Sequence, residues 1–232
     1  AAAQIVDGNS DNKQQSNNTS QAPVKSEEYK QQLAQLLKSA AGAKSDNPEL
    51  LNQAAQGIQD WHLNRDKLTG FEEAEIKLQS FRLLNHVYSK LEQYDDILSA
   101  YEKWYEPGSN PPYFLKNSLA TAYIQLGRYE LAVAELEDLS KQLEGKLHVG
   151  SADNLALAYI YLDDYDKALK TLEQVDAKDN VYGNILKYYV YDKQNNRKKM
   201  DEIKSKIPEA FAVTPALLPQ SGVPGSQLLR LL

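Results

Sequence analysis

The side chains that most often catalyse reactions or bind metals are few in this chain and widely spaced. Its three histidines, His62, His86 and His148, lie far apart, and the sequence contains no His-x3-His or His-Glu-x2-His pattern. Each histidine is therefore interpreted as a surface or half-buried side chain. The sequence predicts no metal site.

The nucleophiles and phosphate loops of common enzyme classes are also missing. There is no cysteine, no serine lies in a Gly-x-Ser-x-Gly pattern, and no glycine precedes the Lys-Ser/Thr of a phosphate loop. Carboxylate pairs such as Glu72-Glu73 and Asp163-Asp164 stand at expected helix starts or turns, where they complement the helix dipole. We therefore predict a non-enzymatic protein without a cofactor.

Charge is spread thinly along the chain, with one local exception. A net charge of −6 argues against the broad basic surface that nucleic-acid binding requires, and no apolar run is long enough for a membrane span. We expect neither a nucleic-acid partner nor direct membrane insertion. The exception is the run Arg197, Lys198 and Lys199. It is either a solvated helix face or a docking patch for an acidic protein, anionic lipid or nucleic acid.

Composition divides the 232 residues into three parts. Residues 1–24 are rich in Asn, Gln and Ser and hold no aromatic residue, which predicts a disordered tether. Residues 26–207 place apolar residues at helical spacing between short breaks, which predicts an all-α domain whose neighbouring helices are antiparallel. Residues 208–232 hold four of the nine prolines, which predicts an extended tail.

The first residue is Ala1 rather than Met, so we expect a processed or trimmed chain. Its polar leader favours an exported or envelope-associated protein, although the sequence leaves the compartment open. Within the helical part, Thr69-Gly70-Phe71-Glu72 has the spacing of a capping box, which predicts the start of a helix there.

Tyrosine is in excess, with 15 Tyr against four Phe and two Trp, and its spacing repeats. Three segments contain a Tyr-x5-Tyr pair followed by apolar residues at helical spacing. The second tyrosines of these pairs are 35 and 36 positions apart. A period of this size is typical of stacked helical hairpins, in which neighbouring units complete each other's core. The pairs are Tyr88 with Tyr94, Tyr123 with Tyr129, and Tyr159 with Tyr165.

These residues resemble the tetratricopeptide repeat family. The resemblance is good at 116–141 and 152–175, and looser at 81–105, where Ile97 replaces a small residue. We place the copies at about 78–107, 113–143 and 150–177. The resemblance implies a right-handed α-solenoid of stacked antiparallel helical hairpins. Its concave groove would be lined by the first helix of each hairpin and would bind extended peptides or partner helices.

The residues implied for this groove are the helical positions that the core does not use. Their mixed, nearly uncharged character favours a neutral extended segment or an amphipathic helix as the ligand. Chaperone-binding members of the family clamp a peptide carboxylate with Lys, Arg and Asn. Only Asn154 and Arg82 fall near such positions, so a co-chaperone role is not expected. The predicted groove residues are Arg82, His86, Asn117, Thr121, Ile124, Gln125, Asp153, Leu157 and Tyr161.

We therefore predict a protein-interaction adaptor or scaffold. The alternative is a permanently assembled structural subunit of a large multiprotein complex of the envelope, secretion or motility type. A third, weaker hypothesis is a regulatory or lipid-docking module that uses the Arg197–Lys206 patch. A further hypothesis is that the proline-rich tail, or the terminal Leu228–Leu232 run, folds back to cap the last hairpin.

Overall fold

The computed structural model describes residues 22–41, 47–109, 111–175 and 180–209. These residues are helices joined by turns and short loops, with no strand among them, so the predicted all-α class is confirmed. The predicted tether lies outside the described residues except for residues 22–24, which begin the first helix. The predicted tail likewise lies outside them beyond Glu209.

The chain divides into two compact units, with the boundary between Glu92 and Gln93. This boundary falls within the predicted copy at 78–107. The first unit contains three helices, each of which packs against the other two. They are α1 (Ala22–Ala41), α2 (Pro48–Asn64) and α3 (Gly70–Lys90).

Local sequence signals explain where α2 begins and which side chains form the core of the first unit. The side chain of Asn47 accepts a hydrogen bond from the Glu49 amide at 3.0 Å, and Pro48 occupies the first turn, where no amide is needed. The helices then bury one apolar face each. Fully buried side chains of this unit include Ile58, Ile76, Phe81, Leu84 and Val87.

The second unit is a succession of helices in which each packs against the next. In addition, α5 contacts α7 and α7 contacts α9, so these three form a row, as expected when hairpins stack. A short 3-10 turn, Lys204–Lys206, follows the last helix and packs on α9. The helices are α4 (Tyr94–Trp104), α5 (Tyr113–Gln125), α6 (Tyr129–Gln142), α7 (Val149–Tyr161), α8 (Tyr165–Glu173), α9 (Val181–Lys193) and α10 (Arg197–Ile203).

Four small residues lie inside the two central hairpins of the second unit. Ala120 and Ala132 belong to the hairpin of α5 and α6, and Ala156 and Ala168 to the hairpin of α7 and α8. All four are fully buried. A methyl side chain lets two backbones approach, and the larger apolar residues fill the remaining space.

The turn inside each hairpin has the same backbone conformation. Gly127, Asp163 and Asn195 have φ of 70°, 58° and 53°, and each stands four positions after a tyrosine. The amide of the following residue bonds the carbonyl of that tyrosine, which closes the helix with a left-handed residue. These bonds are Arg128 to Tyr123, Asp164 to Tyr159 and Asn196 to Tyr191, at 2.8, 2.9 and 2.8 Å. The pair α9 and α10 is therefore a hairpin with the same turn.

Candidate functional site

Polar side chains connect α5 and α7 in the second unit. The amide nitrogen of Asn154 donates to the side-chain oxygen of Asn117 and to the hydroxyl of Thr121, both at 3.2 Å. The Thr121 hydroxyl in turn donates to the Asn117 carbonyl at 2.9 Å. All three side chains are half-buried. We call Asn117, Thr121 and Asn154 the inner polar ladder.

A second polar contact joins α7 to the start of α9. The amide nitrogen of Asn180 donates to a carboxylate oxygen of Asp153 at 2.8 Å, while the Asn180 oxygen accepts from the Gly183 amide at 3.0 Å. Burial raises the pKa of Asp153 to about 6, against the opposing effects of the Asn180 hydrogen bond and the Lys187 charge. Asn180 thus caps α9 and at the same time ties it to α7.

Five half-buried tyrosines form a second feature of this unit, which we call the tyrosine cluster. The rings of Tyr129 and Tyr161 are stacked, with centroids 4.2 Å apart and planes inclined by 5°. Burial raises the pKa of Tyr161, and the neighbouring phenols of the cluster raise it further. The Lys193 ammonium lies 5.2 Å from the centre of the Tyr189 ring. The cluster comprises Tyr129, Tyr161, Tyr165, Tyr182 and Tyr189.

The structure places the predicted groove residues of the second unit in three environments. Asn117 and Thr121 belong to the inner polar ladder, and Tyr161 to the tyrosine cluster. Gln125 is half-buried on α5, and its side-chain oxygen is buried without a hydrogen-bond partner.

The other three predicted groove residues of this unit are buried. Ile124 and Leu157 are only 4% and 3% exposed and belong to the hydrophobic core, and Asp153 is buried against Asn180. Sequence reasoning placed Ile124 and Leu157 on a face that the hairpin does not use. In the structure the neighbouring hairpins cover that face, because α7 packs against α5, α6, α8 and α9.

Arg82 and His86 lie on α3 in the first unit, where both are exposed. With residues of α1 they line a cavity of about 590 Å³. Burial lowers the pKa of His86, and the nearby Lys90 charge lowers it further. The other side chains around the cavity are Lys30, Leu33, Ala34, Glu75, Gln79 and Leu83.

The predicted basic patch is exposed on α10. Arg197, Lys198 and Lys199 all face solvent, and the Lys199 ammonium pairs with Glu202 at 2.9 Å. Part of this positive charge is therefore neutralised within the same helix. Among the described residues, no three histidine or acidic side chains are arranged as metal ligands would be. None of the helices in the described ranges is both long and apolar enough to cross a membrane.

Sequence reasoning missed several contributors to these features. Tyr129 was predicted only as part of a repeating tyrosine pair, but it is half-buried and stacks on Tyr161. The signal that could have found Tyr129 is its place directly after the turn, beside the last residue of the neighbouring hairpin's first helix. No local pattern points to Asn180, because its partner Asp153 lies 27 positions earlier.

Comparisons with known proteins agree with this architecture. Residues 151–180 match the family model of the tetratricopeptide repeat. No curated protein sequence matches the chain significantly. Two solved structures are similar, both of a provisionally assigned kinesin light chain of Podosopora anserina with nearly identical TPR-like repeats.

One of these structures is 16% identical, covers 82% of this chain and 94% of its own, and has a TM-score of 0.49. The other, a single-substitution variant, is 17% identical, covers 81% and 92%, and has a TM-score of 0.50. At such identities the likeness concerns the fold alone. The predicted resemblance is confirmed: the chain carries a tetratricopeptide repeat at 151–180 within a TPR-like helical fold.

Proposed function

We propose that this chain is a non-enzymatic adaptor or scaffold that binds an extended peptide or a partner helix along α5, α7 and α9 of the second unit. The observation that carries this proposal is the hydrogen-bonded inner polar ladder on α5 and α7, together with the tyrosine cluster, to which α7 and α9 contribute Tyr161, Tyr182 and Tyr189. TPR-like folds commonly mediate protein–protein interaction, which supports the class of function but names no partner.

The ladder suits the backbone of a bound peptide. An asparagine side chain offers both an amide donor and a carbonyl acceptor, which are the groups that an extended peptide backbone needs as partners. Hydrogen bonds between Asn154, Asn117 and Thr121 already restrict the rotamers of these side chains, so less conformational entropy is lost on binding.

The tyrosine cluster suits the side chains of the same peptide. Tyrosine rings provide a large contact area at low entropic cost and are enriched in binding sites. Because Tyr161 stacks on Tyr129 at 4.2 Å, its orientation is fixed before a ligand arrives. The carboxyl group of Asp153, the residue before Asn154, is buried. A neutral segment therefore fits this face better than a strongly charged one.

The test is to select random linear peptides displayed on phage against the immobilised full chain, and to measure the recovered peptides by calorimetry. We expect micromolar binding that falls at least tenfold in Tyr161→Ala and in Asn154→Ala, because each loses a contact to the ligand. Tyr113→Ala is the matched control, since Tyr113 is exposed at the first residue of α5 and outside the cluster. Equal binding by all folded variants would overturn the proposal.

The second candidate function, a permanently assembled structural subunit, is favoured by one observation in the first unit. Phe71 and Leu63 are 81% and 61% exposed, which is unusual for side chains of this size. A permanent interface would cover them. Native mass spectrometry of the complex recovered from its source distinguishes the two functions: a stable complex that persists on dilution favours the subunit, and a monomer favours the adaptor.

A further inference from the structure

The segment that follows the described residues has an unusual composition for a polar tail. Residues 210–225 contain no charged residue, and they hold three prolines at 215, 219 and 224 together with Phe211, Leu217 and Leu218. Such a segment can bury few of its apolar side chains unless it packs against another surface. Its prolines favour the polyproline II conformation, which is extended and lacks internal hydrogen bonds.

We propose that residues 210–225 of this same chain bind the tyrosine cluster in a polyproline II conformation until a partner displaces them. This rests on the proposed function, because it names what occupies that face when no partner is bound. Proline-rich segments dock in grooves lined by aromatic side chains, where a preformed polyproline II helix loses little entropy.

The tyrosine cluster has the character that such a segment needs. Its rings come from four successive helices, α6 to α9, and each of the five residues is half-buried. Tyr129 and Tyr161 present two parallel rings, inclined by only 5°. The segment carries no charge that would have to be desolvated on this face.

The end of the described chain packs against the helix that carries two rings of this cluster. Ile207 is buried in the hydrophobic core of the second unit, and the 3-10 turn Lys204–Lys206 packs on α9, which carries Tyr182 and Tyr189. With 13 residues, α9 is about 20 Å long. In a polyproline II conformation, with a rise of about 3.1 Å per residue, residues 210–225 would span roughly 50 Å. The segment is therefore longer than the whole of α9.

The absence of cysteine allows a direct test. The substitution Ser221→Cys in the full chain provides a single site for a nitroxide label. The nitroxide broadens the NMR signals of nearby groups, and this broadening is measured for the tyrosine signals. We expect Tyr161 and Tyr189 to lose most of their signal and to regain it when the nitroxide is reduced. Tyr113, outside the cluster, reports any uniform loss. In the same labelled chain, Pro215→Ala combined with Pro219→Ala is expected to restore much of the signal.

Three outcomes would overturn this proposal. The tyrosine cluster would keep its full signal; or the broadening would be uniform; or it would be as strong for unlabelled, isotope-enriched molecules mixed with nitroxide-labelled ones, which would assign the contact to a second copy. The experiment needs no partner, so it can fail while peptide binding by the same face persists. If both hold, a selected peptide added in excess restores the tyrosine signals of the labelled chain.

Discussion

The side-chain amide of Asn180 donates a 2.8 Å hydrogen bond to the carboxylate of Asp153, and this bond fixes the first turn of α9 against α7. The same Asn180 caps α9 through the Gly183 amide. One side chain therefore both starts a helix and positions it beside its neighbour. The alignment of α9 with α7 depends on this contact.

Gly183 is the residue that makes room for the Asn180 contact. A β-carbon at this position would lie 2.4 Å from the Asn180 amide nitrogen and 3.0 Å from the Asp153 oxygen. Gly183→Ala should displace the cap and the interhelical bond, and lower the free energy of unfolding by about 2 kcal/mol. The control is Gly150→Ala on α7, where nothing lies within 4 Å of the new carbon and a small gain is expected. The free energies of unfolding of both variants are measured by urea unfolding. Equal values would show that the space beside Asn180 does not require glycine at position 183.

Asp153 should make stability depend on pH in a specific direction. Burial raises its pKa from 3.8 to about 6, so the folded state binds the proton more tightly than the unfolded state. Its contribution is most favourable below about pH 4 and is lost as the pH rises to about 6. Asp153→Asn keeps an oxygen for Asn180 but removes the buried charge. It should raise the free energy of unfolding by about 1–3 kcal/mol at pH 7.5 and change it little at pH 4.

The measurement for Asp153 is urea unfolding of the natural chain and of Asp153→Asn at both pH values. Comparing the two proteins cancels the titration of the other acidic groups. A variant that is less stable than the natural chain at pH 7.5 would show that the carboxylate is stabilising, in contradiction to its burial.

Arg65 and Glu73 form a bidentate ion pair in the first unit, with bonds of 2.8 and 2.7 Å. The Arg65 side chain is only 2% exposed and also lies against the rings of Tyr29 and Trp61. Arg65→Met leaves the Glu73 carboxylate without its cation, and should cost about 3 kcal/mol of unfolding free energy.

The exposed pair Arg128 and Asp95 provides the control for Arg65. Its atoms are 2.9 Å apart, but its side chains are 47% and 67% exposed. Arg128→Met should therefore cost less than about 1 kcal/mol. The two variants are compared by urea unfolding, and similar losses would show that burial does not set the strength of the Arg65 pair.

Substitution of Gly127 tests how much a glycine stabilises the left-handed turn that ends the first helix of a hairpin. Its φ is 70°, and a β-carbon there would meet only the Tyr129 hydroxyl, at 3.9 Å. Gly127→Ala therefore changes the backbone energy with almost no steric effect, and should lower the unfolding free energy by about 1 kcal/mol. Urea unfolding measures this loss. An unchanged midpoint would mean that the turn relaxes at no cost.

The sequence predicts the hairpins well because they depend on local spacing. The tyrosine pairs and the small residues at Ala120 and Ala156 recur with the hairpin period, and the structure buries both alanines fully. The capping box predicted at Thr69 is not formed. Gly70 takes a φ of 59°, the Thr69 side chain makes no cap bond, and the Leu68 amide bonds Glu73 instead.

The candidate site was harder to predict because it depends on how hairpins stack. Helical spacing shows which residues face away from a hairpin, but not whether the next hairpin covers them. Leu157 and Thr121 look alike on that criterion, yet Leu157 is buried and Thr121 is half-buried. The stacking of Tyr129 on Tyr161 joins residues 32 positions apart, which local patterns do not reveal.

Peptide binding along α5, α7 and α9 is tested most directly by an NMR titration of the full chain with a peptide recovered from the phage selection. We expect the side-chain amide signals of Asn117 and Asn154 and the ring signals of Tyr161 to shift in parallel as the peptide saturates the chain. Peptide-induced shifts confined to the first unit, for example at Gln79 beside its cavity, would contradict this expectation.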